Sequence, residues 1–265
     1  VENVSRSARK AVELKSAAEI AIMRQAGRML DGVMREVVEA VVPGITTDEL
    51  DRLARARIRE AGGKPAFLGL YGFPRTLCIS INREVVHGIP GKRQLLEGDI
   101  VSIDCGVRYK GYFSDRAYTV GVGRIAPEAT RLLDVTREAL VRAISQCRPG
   151  NRLGDIGHAV QSWVEANGFS IVREYGGHGI GRDLHEEPRV ENFGAAGSGP
   201  RLQAGMVLAV EPMVAAGGGE TEVLEDDWTV VTSDGSLAAH FEHTVAVTDS
   251  GPEVLTRAGD GQDWG

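Results

Sequence analysis

Cysteine is scarce in this 265-residue chain: Cys78, Cys105 and Cys147 are all it has, and none stand in a CxxC spacing. An odd, unpatterned set excludes a disulfide framework and a thiolate zinc site, and fits a reducing compartment. Positive charge is in deficit as well, with 30 basic against 37 acidic residues and a formal net charge of −7. Affinity built on phosphate neutralisation is therefore excluded as a first reading, and nucleic acid with it. No apolar run approaches the roughly 18 residues a membrane span needs, and the polar start from Val1 to Ser16 lacks the apolar core of a signal peptide. These absences predict a cytoplasmic protein with no membrane partner.

What is present is ordinary in bulk, 42% hydrophobic and 25% charged, with a length suited to one large domain or two modest ones. Glycine is the exception: 34 residues, near 13% against roughly 7% in average usage, so many tight turns are expected. Ile20, Met23, Met29, Leu30, Val33, Met34, Val37, Val38 and Val41 recur at helical spacing and predict a helix over Ala17–Val42, closed by Pro43-Gly44 and divisible at Gly27. Thr46 or Thr47 caps a second helix, Asp48–Ala61, which Gly62-Gly63 stops.

An internal repeat lies 106 residues further on. Pro149-Gly150 repeats Pro43-Gly44, and apolar positions pair in register on both sides: Val33 with Ala139, Val37 with Ala143, Leu50 with Ile156, Ile58 with Val164. Matched phase over two helices indicates duplication. Strands are predicted over Thr76–Ile81, Ile100–Cys105, Tyr112–Val122, Val207–Glu211, Trp228–Thr232 and Phe241–Val247. The order of elements predicts an α+β fold with mainly antiparallel strands and helices on one face. It divides into an extension over 1–16, one domain over 17–256 with pseudo-symmetric halves (17–124 and 125–256), and a polar tail over 257–265.

Period-2 alternation puts Ser102 and Asp104 on one face of their strand and Phe113, Asp115 and Ala117 together on the next. With the turn centred on Tyr109-Lys110, Asp104 and Asp115 are expected directly opposite each other, Cβ atoms about 4.5–5.5 Å apart. Alone, each reads as a turn residue or a solvated acid; together they repel unless a cation lies between them. Glu211 ends the apolar strand Met206–Val210 and Glu242 sits within Phe241–Val245, where an acid is costly unless paired or metal-bound. His178 lies in Gly176-Gly177-His178-Gly179-Ile180-Gly181, whose glycines let the backbone close around one imidazole. His240 shares a strand face with Glu242 and is expected to line the same site, with His243 pointing away. A dinucleotide loop at Gly177–Gly181 is set aside because Arg182 replaces the third glycine, and no cysteine-protease signature surrounds Cys78 and His87.

Together these residues resemble the methionine aminopeptidases, in the short bacterial type I form of the pita-bread peptidases. The matching stretches are Val86-His87-Gly88-Ile89-Pro90, Ser102-Ile103-Asp104-Cys105-Gly106, Asp115, Gly177-His178-Gly179-Ile180-Gly181, His185-Glu186-Glu187-Pro188, Glu211-Pro212-Met213 and Glu242-His243-Thr244. The resemblance runs from the first helix to about Val247. It implies a pseudo-twofold curved antiparallel sheet with two helix pairs on its outer face and a metal site between the halves. By motif, Asp104, Asp115, His178, Glu211 and Glu242 would bind two divalent cations, manganese, iron, cobalt or zinc, and four carboxylates balance their charge. His185 would donate to the substrate carbonyl, His87 would contact the scissile amide, and Glu211 would carry a proton to the leaving amine. Phe73, Cys78, Leu184 and Trp228 would line the methionine pocket. Leu70 and Phe73 stand where the family often has tyrosine, and Leu184 where it has phenylalanine.

The implied activity is removal of the initiator methionine from nascent chains near the ribosome when the second residue is small, by a cytoplasmic monomer. X-Pro aminopeptidases and prolidases share the ligand set but usually carry an extra N-terminal domain, for which 265 residues leave no room. Type II enzymes carry an insertion absent between His185 and Glu211. A non-catalytic binding protein on the same fold is expected to have lost ligands that this sequence retains.

Overall fold

The computed structural model describes residues 11–257, so residues 1–10 of the expected extension and 258–265 of the expected tail lie outside the described residues. The helices are α1 (Ala17–Glu39), α2 (Thr47–Glu60), α3 (Pro127–Gln146) and α4 (Leu153–Ala166). The first half holds strands β1 (Lys64–Pro65), β2 (Leu77–Ile81), β3 (Glu84–Val86), β4 (Ile100–Tyr109) and β5 (Tyr112–Gly121). The second holds β6 (Ser170–Ile171), β7 (Gly177–Gly179), β8 (Glu186–Val190), β9 (Val207–Val210) and β10 (Met213–Ala215). It continues with β11 (Thr221–Val223), β12 (Val230–Thr232), β13 (Ala238–His240), β14 (His243–Thr248) and β15 (Gly251–Val254).

Ser16 and Glu19 form a reciprocal capping box at the start of α1, and Thr46 and Glu49 do the same for α2. The buried stripe of α1, Ile20, Met23, Leu30, Val33, Met34 and Val37, follows the predicted periodicity, and burying each such side chain is worth about 1.5–3 kcal/mol. The helix stops at Glu39, short of the expected Val42, with Ala40 as its C-cap; Pro43 disfavours helical geometry at the residue before it. Gly27 does not divide it. A Cβ there would stand 2.1 Å from the Leu255 carbonyl oxygen, so glycine lets the chain after β15 cross directly over the helix.

The duplication is visible in three dimensions. Thr47 to Leu153 and Glu60 to Ala166 keep the 106-residue offset at both ends of α2 and α4. Gly44 and Gly150, the repeated Pro-Gly glycines, have φ of 93° and 95°, a conformation that favours glycine. Side chains from all four helices and from the central strands share one apolar core, which includes Leu30, Leu50, Ile103, Leu132, Ile156 and Leu208.

The β4–β5 hairpin differs from expectation by one residue. Tyr109 pairs with Tyr112, Asp104 with Ala117 and Gly106 with Asp115. The turn is Lys110-Gly111, with φ of 48° and 89°, the doubly positive combination that matches strand twist. Asp104 and Asp115 are therefore diagonal neighbours on one face.

In the second half the predicted strands Val207–Glu211 and Phe241–Val247 form as β9 and β14, but stop short of Glu211 and Glu242, and a further strand lies beyond each gap. β9 pairs with β14 and β10 with β13, in different sheets. The register nevertheless runs through both breaks: Val210 faces His243 on one side and Met213 faces His240 on the other. Glu211 and Glu242 thus occupy matching positions in the two gaps, with Phe241 N donating to Pro212 O at 3.3 Å. Proline at 212 cannot donate to a ladder, which favours the break at that point.

Candidate metal centre and active site

The two halves meet at their acids. The Asp115 amide donates to Thr244 Oγ1 (2.9 Å), and that hydroxyl donates to the Asp115 carbonyl (2.8 Å). The Glu242 amide donates to the carbonyl of Ala117, the register partner of Asp104 (2.9 Å). Behind Asp115, the buried Arg116 guanidinium pairs with Asp31 of α1 and donates to the Thr256 carbonyl at 2.7 Å. The hairpin is fixed between its helix and the other half.

His178 enters from β7, squeezed between β8 and β9. A Cβ at Gly177 would lie 2.2 Å from Ala209 O, and one at Gly179 2.2 Å from Glu187 O. His178 Nδ1 stands 2.8 Å from the Gly179 carbonyl oxygen, which only accepts, so Nδ1 carries the proton. That tautomer leaves the Nε2 lone pair turned toward the acids, 3.6 Å from Glu211 Oε1. His240 Nε2 lies 3.2 Å from Glu211 Oε2, so His240 lines the site as its strand face predicted. His243 turns away and its Nδ1 lies 2.8 Å from Thr256 Oγ1. Ligand atoms of Asp115, His178 and Glu242 lie within 4.8 Å of one another, as do those of Glu211, His240 and Glu242.

Burial drives the electrostatics. It pushes Asp104 up to about 7 against the opposing pull of His240. Burial, reinforced by neighbouring carboxylates, holds Asp115 and Glu242 well above the ordinary range. Glu211 is also raised by burial, but the facing His240 outweighs this, with help from His178 and His185, and its carboxyl is lowered overall. Asp104 Oδ1 and Glu242 Oε1 are buried without any hydrogen-bond partner. Orphaned carboxylate oxygens, a cluster of acids that cannot all ionise unaided, and an imidazole lone pair facing them form a donor set that fits divalent cations. His185 is lowered to about 4, first by burial and then by His178; burial also lowers His87. Both are neutral near pH 7. Burial raises the Cys78 thiol well above its ordinary value, which leaves it apolar wall rather than nucleophile.

All eleven site residues expected from the sequence line one cavity of about 190 Å³. Its lining combines Asp104, Asp115, His178, Glu211 and Glu242 with an apolar set, Phe73 edge-on to Trp228 at 5.1 Å together with Cys78 and Leu184, and Cys78 is the register partner of Asp104. His87 and His185 share the lining, the His185 ring centre 4.5 Å from that of His178. His87 holds φ at 62° and meets Tyr175 edge-on. A wider space of about 340 Å³ opens outward from the same histidines and acids. Sequence reasoning missed Phe67 and Tyr71 in the inner lining. Tyr71 is 76% exposed, sits at φ 50° between Gly69 and Gly72, and stacks on His185 with ring centres 6.1 Å apart. The close Gly-Leu-Tyr-Gly spacing was the available signal for such a tight turn.

A buried cluster of acids and histidine between two duplicated halves is a donor set of the kind a metal-dependent enzyme presents. The profile of metallopeptidase family M24 matches residues 21–249, and the chain belongs to that family. It is 54% identical over 243 residues to a methionine aminopeptidase of Clostridium perfringens, covering 92% of this chain and 98% of that one. To methionine aminopeptidase 1 of Bacillus subtilis it is 49% identical with the same coverage. The crystal structure of the Rickettsia prowazekii methionine aminopeptidase superposes with a TM-score of 0.92 at 41% identity, over 93% of this chain and all of that one. The pita-bread architecture implied by the motifs is thereby established. A prolidase from Pyrococcus furiosus is a more distant neighbour, with a TM-score of 0.76 and 23% identity over 65% of its length, and shares the fold.

Proposed function

We propose that this chain removes the N-terminal methionine of nascent polypeptides whose second residue is small. The observation that carries the reading is one cavity whose lining joins a carboxylate and imidazole cluster to an apolar set and to two neutral histidines. Asp104, Asp115, His178, Glu211 and Glu242 would hold two divalent cations; oxygen-rich ligation without thiolate suits manganese, iron or cobalt at least as well as zinc. Such a pair supplies a nucleophilic water near neutral pH and an electrophile for the scissile carbonyl.

The remaining chemistry belongs to the chain. The slot of Phe73, Cys78, Leu184 and Trp228 receives the thioether side chain, for which an aromatic edge is a favourable neighbour. Neutral His185 donates its N–H to the carbonyl oxygen as negative charge develops, an interaction stronger in the transition state than in the ground state. His87 donates to the scissile amide. Glu211, whose carboxyl is lowered while burial raises those of Asp104, Asp115 and Glu242, takes the proton released on attack and delivers it to the leaving amine. The outer space accommodates the departing peptide. Residues 17–256 form the catalytic unit, working as a cytoplasmic monomer on chains emerging from the ribosome.

Release of methionine from Met-Gly-Met and Met-Ala-Ser by metal-reconstituted protein tests this, with Met-Pro and X-Pro series alongside. Methionine release lost in Asp104→Ala is expected. Preference for X-Pro peptides would move the chain to prolidase-like chemistry, and inertness with every cation would leave a binding protein on a peptidase fold.

A further inference from the structure

Lys15 stands ahead of α1 in a segment that the catalytic reading leaves idle, yet its side chain is only 3% exposed. Its amide donates to the Gly205 carbonyl at 2.7 Å, pinning the segment beside β9. Its ammonium donates to the Glu13 carbonyl at 3.2 Å and pairs with the Glu186 carboxylate, itself 10% exposed. The other Glu186 oxygen, Oε1, accepts from the backbone amides of Arg182 (2.7 Å) and Asp183 (3.2 Å), closing the 181–186 turn on itself. Gly181 is pressed against the pair: a Cβ there would lie 2.3 Å from Lys15 Cε and 2.6 Å from Glu186 Oε1. The turn carries Leu184, a wall of the apolar slot, and His185, which faces His178.

We infer that Lys15 is a positioning residue for His185 and Leu184, acting through Glu186 and the 181–186 turn. A buried carboxylate that loses its one cation among the described residues must find water or a proton. Glu186 borders the outer space, so its relief is to swing outward, releasing the Arg182 and Asp183 amides and with them the turn that aims His185. The segment before the first helix is then a strap that sets the substrate side of the site, without touching any proposed metal ligand. The kinetic part of this inference rests on the role proposed for His185; the structural part does not.

Metal-loaded full-length protein is compared as wild type, Lys15→Met, Lys15→Arg and Lys15→Met/Glu186→Gln. Hydrogen exchange at the Arg182 and Asp183 amides is expected to quicken about ten-fold in Lys15→Met. Protection returns in Lys15→Arg, and in the double variant, where a neutral amide oxygen still accepts from both groups without a buried charge. In Lys15→Met, kcat on Met-Ala-Ser falls about ten-fold while manganese affinity by calorimetry stays within about two-fold of wild type, a split that general unfolding does not produce. Unchanged exchange at both amides, or parallel loss of manganese affinity, overturns the inference. Should Lys15→Met not fold, the double variant decides: wild-type protection of the two amides upholds charge compensation through Glu186, and its absence refutes it. Wild-type protein that cleaves no peptide would defeat the functional reading while leaving the exchange result to stand alone.

Discussion

The two halves of this molecule deliver their acids differently. The first presents Asp104 and Asp115 from an unbroken hairpin of ten-residue strands, where short side chains on a regular face already converge. The second presents Glu211 and Glu242 from two gaps where strands leave one sheet for another. Longer side chains then reach across from a backbone that has stepped out of its ladder. The same break admits His240 against Glu211. Duplication supplied the frame, and a straight hairpin on one side and a broken strand pair on the other bring acids from both halves to one cavity.

If each half contributes equally to cation binding, Asp115→Ala and Glu242→Ala should both reduce methionine release by about 10³-fold or more at saturating metal. A loss confined to one half would show that the pseudo-symmetry does not extend to function. The next largest effect separates the halves by stability. Only the first depends on the buried Asp31–Arg116 pair behind Asp115, so Asp31→Ala should cost about 3–5 kcal/mol in chemical denaturation, against about 1–2 kcal/mol for removing the Thr244 hydroxyl in Thr244→Val. Equal costs would contradict the view that α1 anchors the hairpin.

Metal removal gives a pH-dependent comparison. In the metal-free folded state Asp104, Asp115 and Glu242 retain protons that the unfolded chain has lost, so metal-free stability falls as pH rises from the ordinary carboxylate range through about 7, where Asp104 titrates. Cation-loaded protein keeps these acids ionised and compensated. The Tm difference between loaded and stripped protein should therefore widen between about pH 5 and pH 7.5; a constant difference would mean that these acids do not hold the cations. The smallest effect is expected at the rim. Tyr71→Ala removes the exposed ring stacked on His185 and should raise KM for tripeptides about three-fold with kcat nearly unchanged, whereas Tyr71→Phe keeps the wild-type value.

Much of this was legible in the sequence, for physical reasons. Helical periodicity and a conserved-offset Pro-Gly turn exposed the duplication, because apolar phase must repeat wherever a helix face is buried in the same way. Acids inside apolar strands exposed Glu211 and Glu242, since such positions are costly without a counter-charge, and Asp104 was exposed by sharing a hairpin face with Asp115. The diagonal placement of Asp104 and Asp115 was not legible, because Tyr109-Lys110 and Lys110-Gly111 differ by one residue and only the positive φ at both turn positions selects the second. Glu211 was expected to end its strand and Glu242 to lie inside one, and the apolar runs beside them gave no sign that the chain changes sheets at both. Lys15 was invisible too: a lysine before a helix looks solvated until its partner 171 residues away is seen to be buried with it.

The most direct measurement is a titration of manganese into metal-stripped protein with methionine release from Met-Ala-Ser followed at each step and bound metal counted. Release should begin only with added cation, reach its maximum at or before two bound cations per chain, and be absent in both Asp115→Ala and Glu242→Ala. Undiminished release from the stripped protein in the presence of chelator, or from either variant, would contradict a metal centre shared between the two halves.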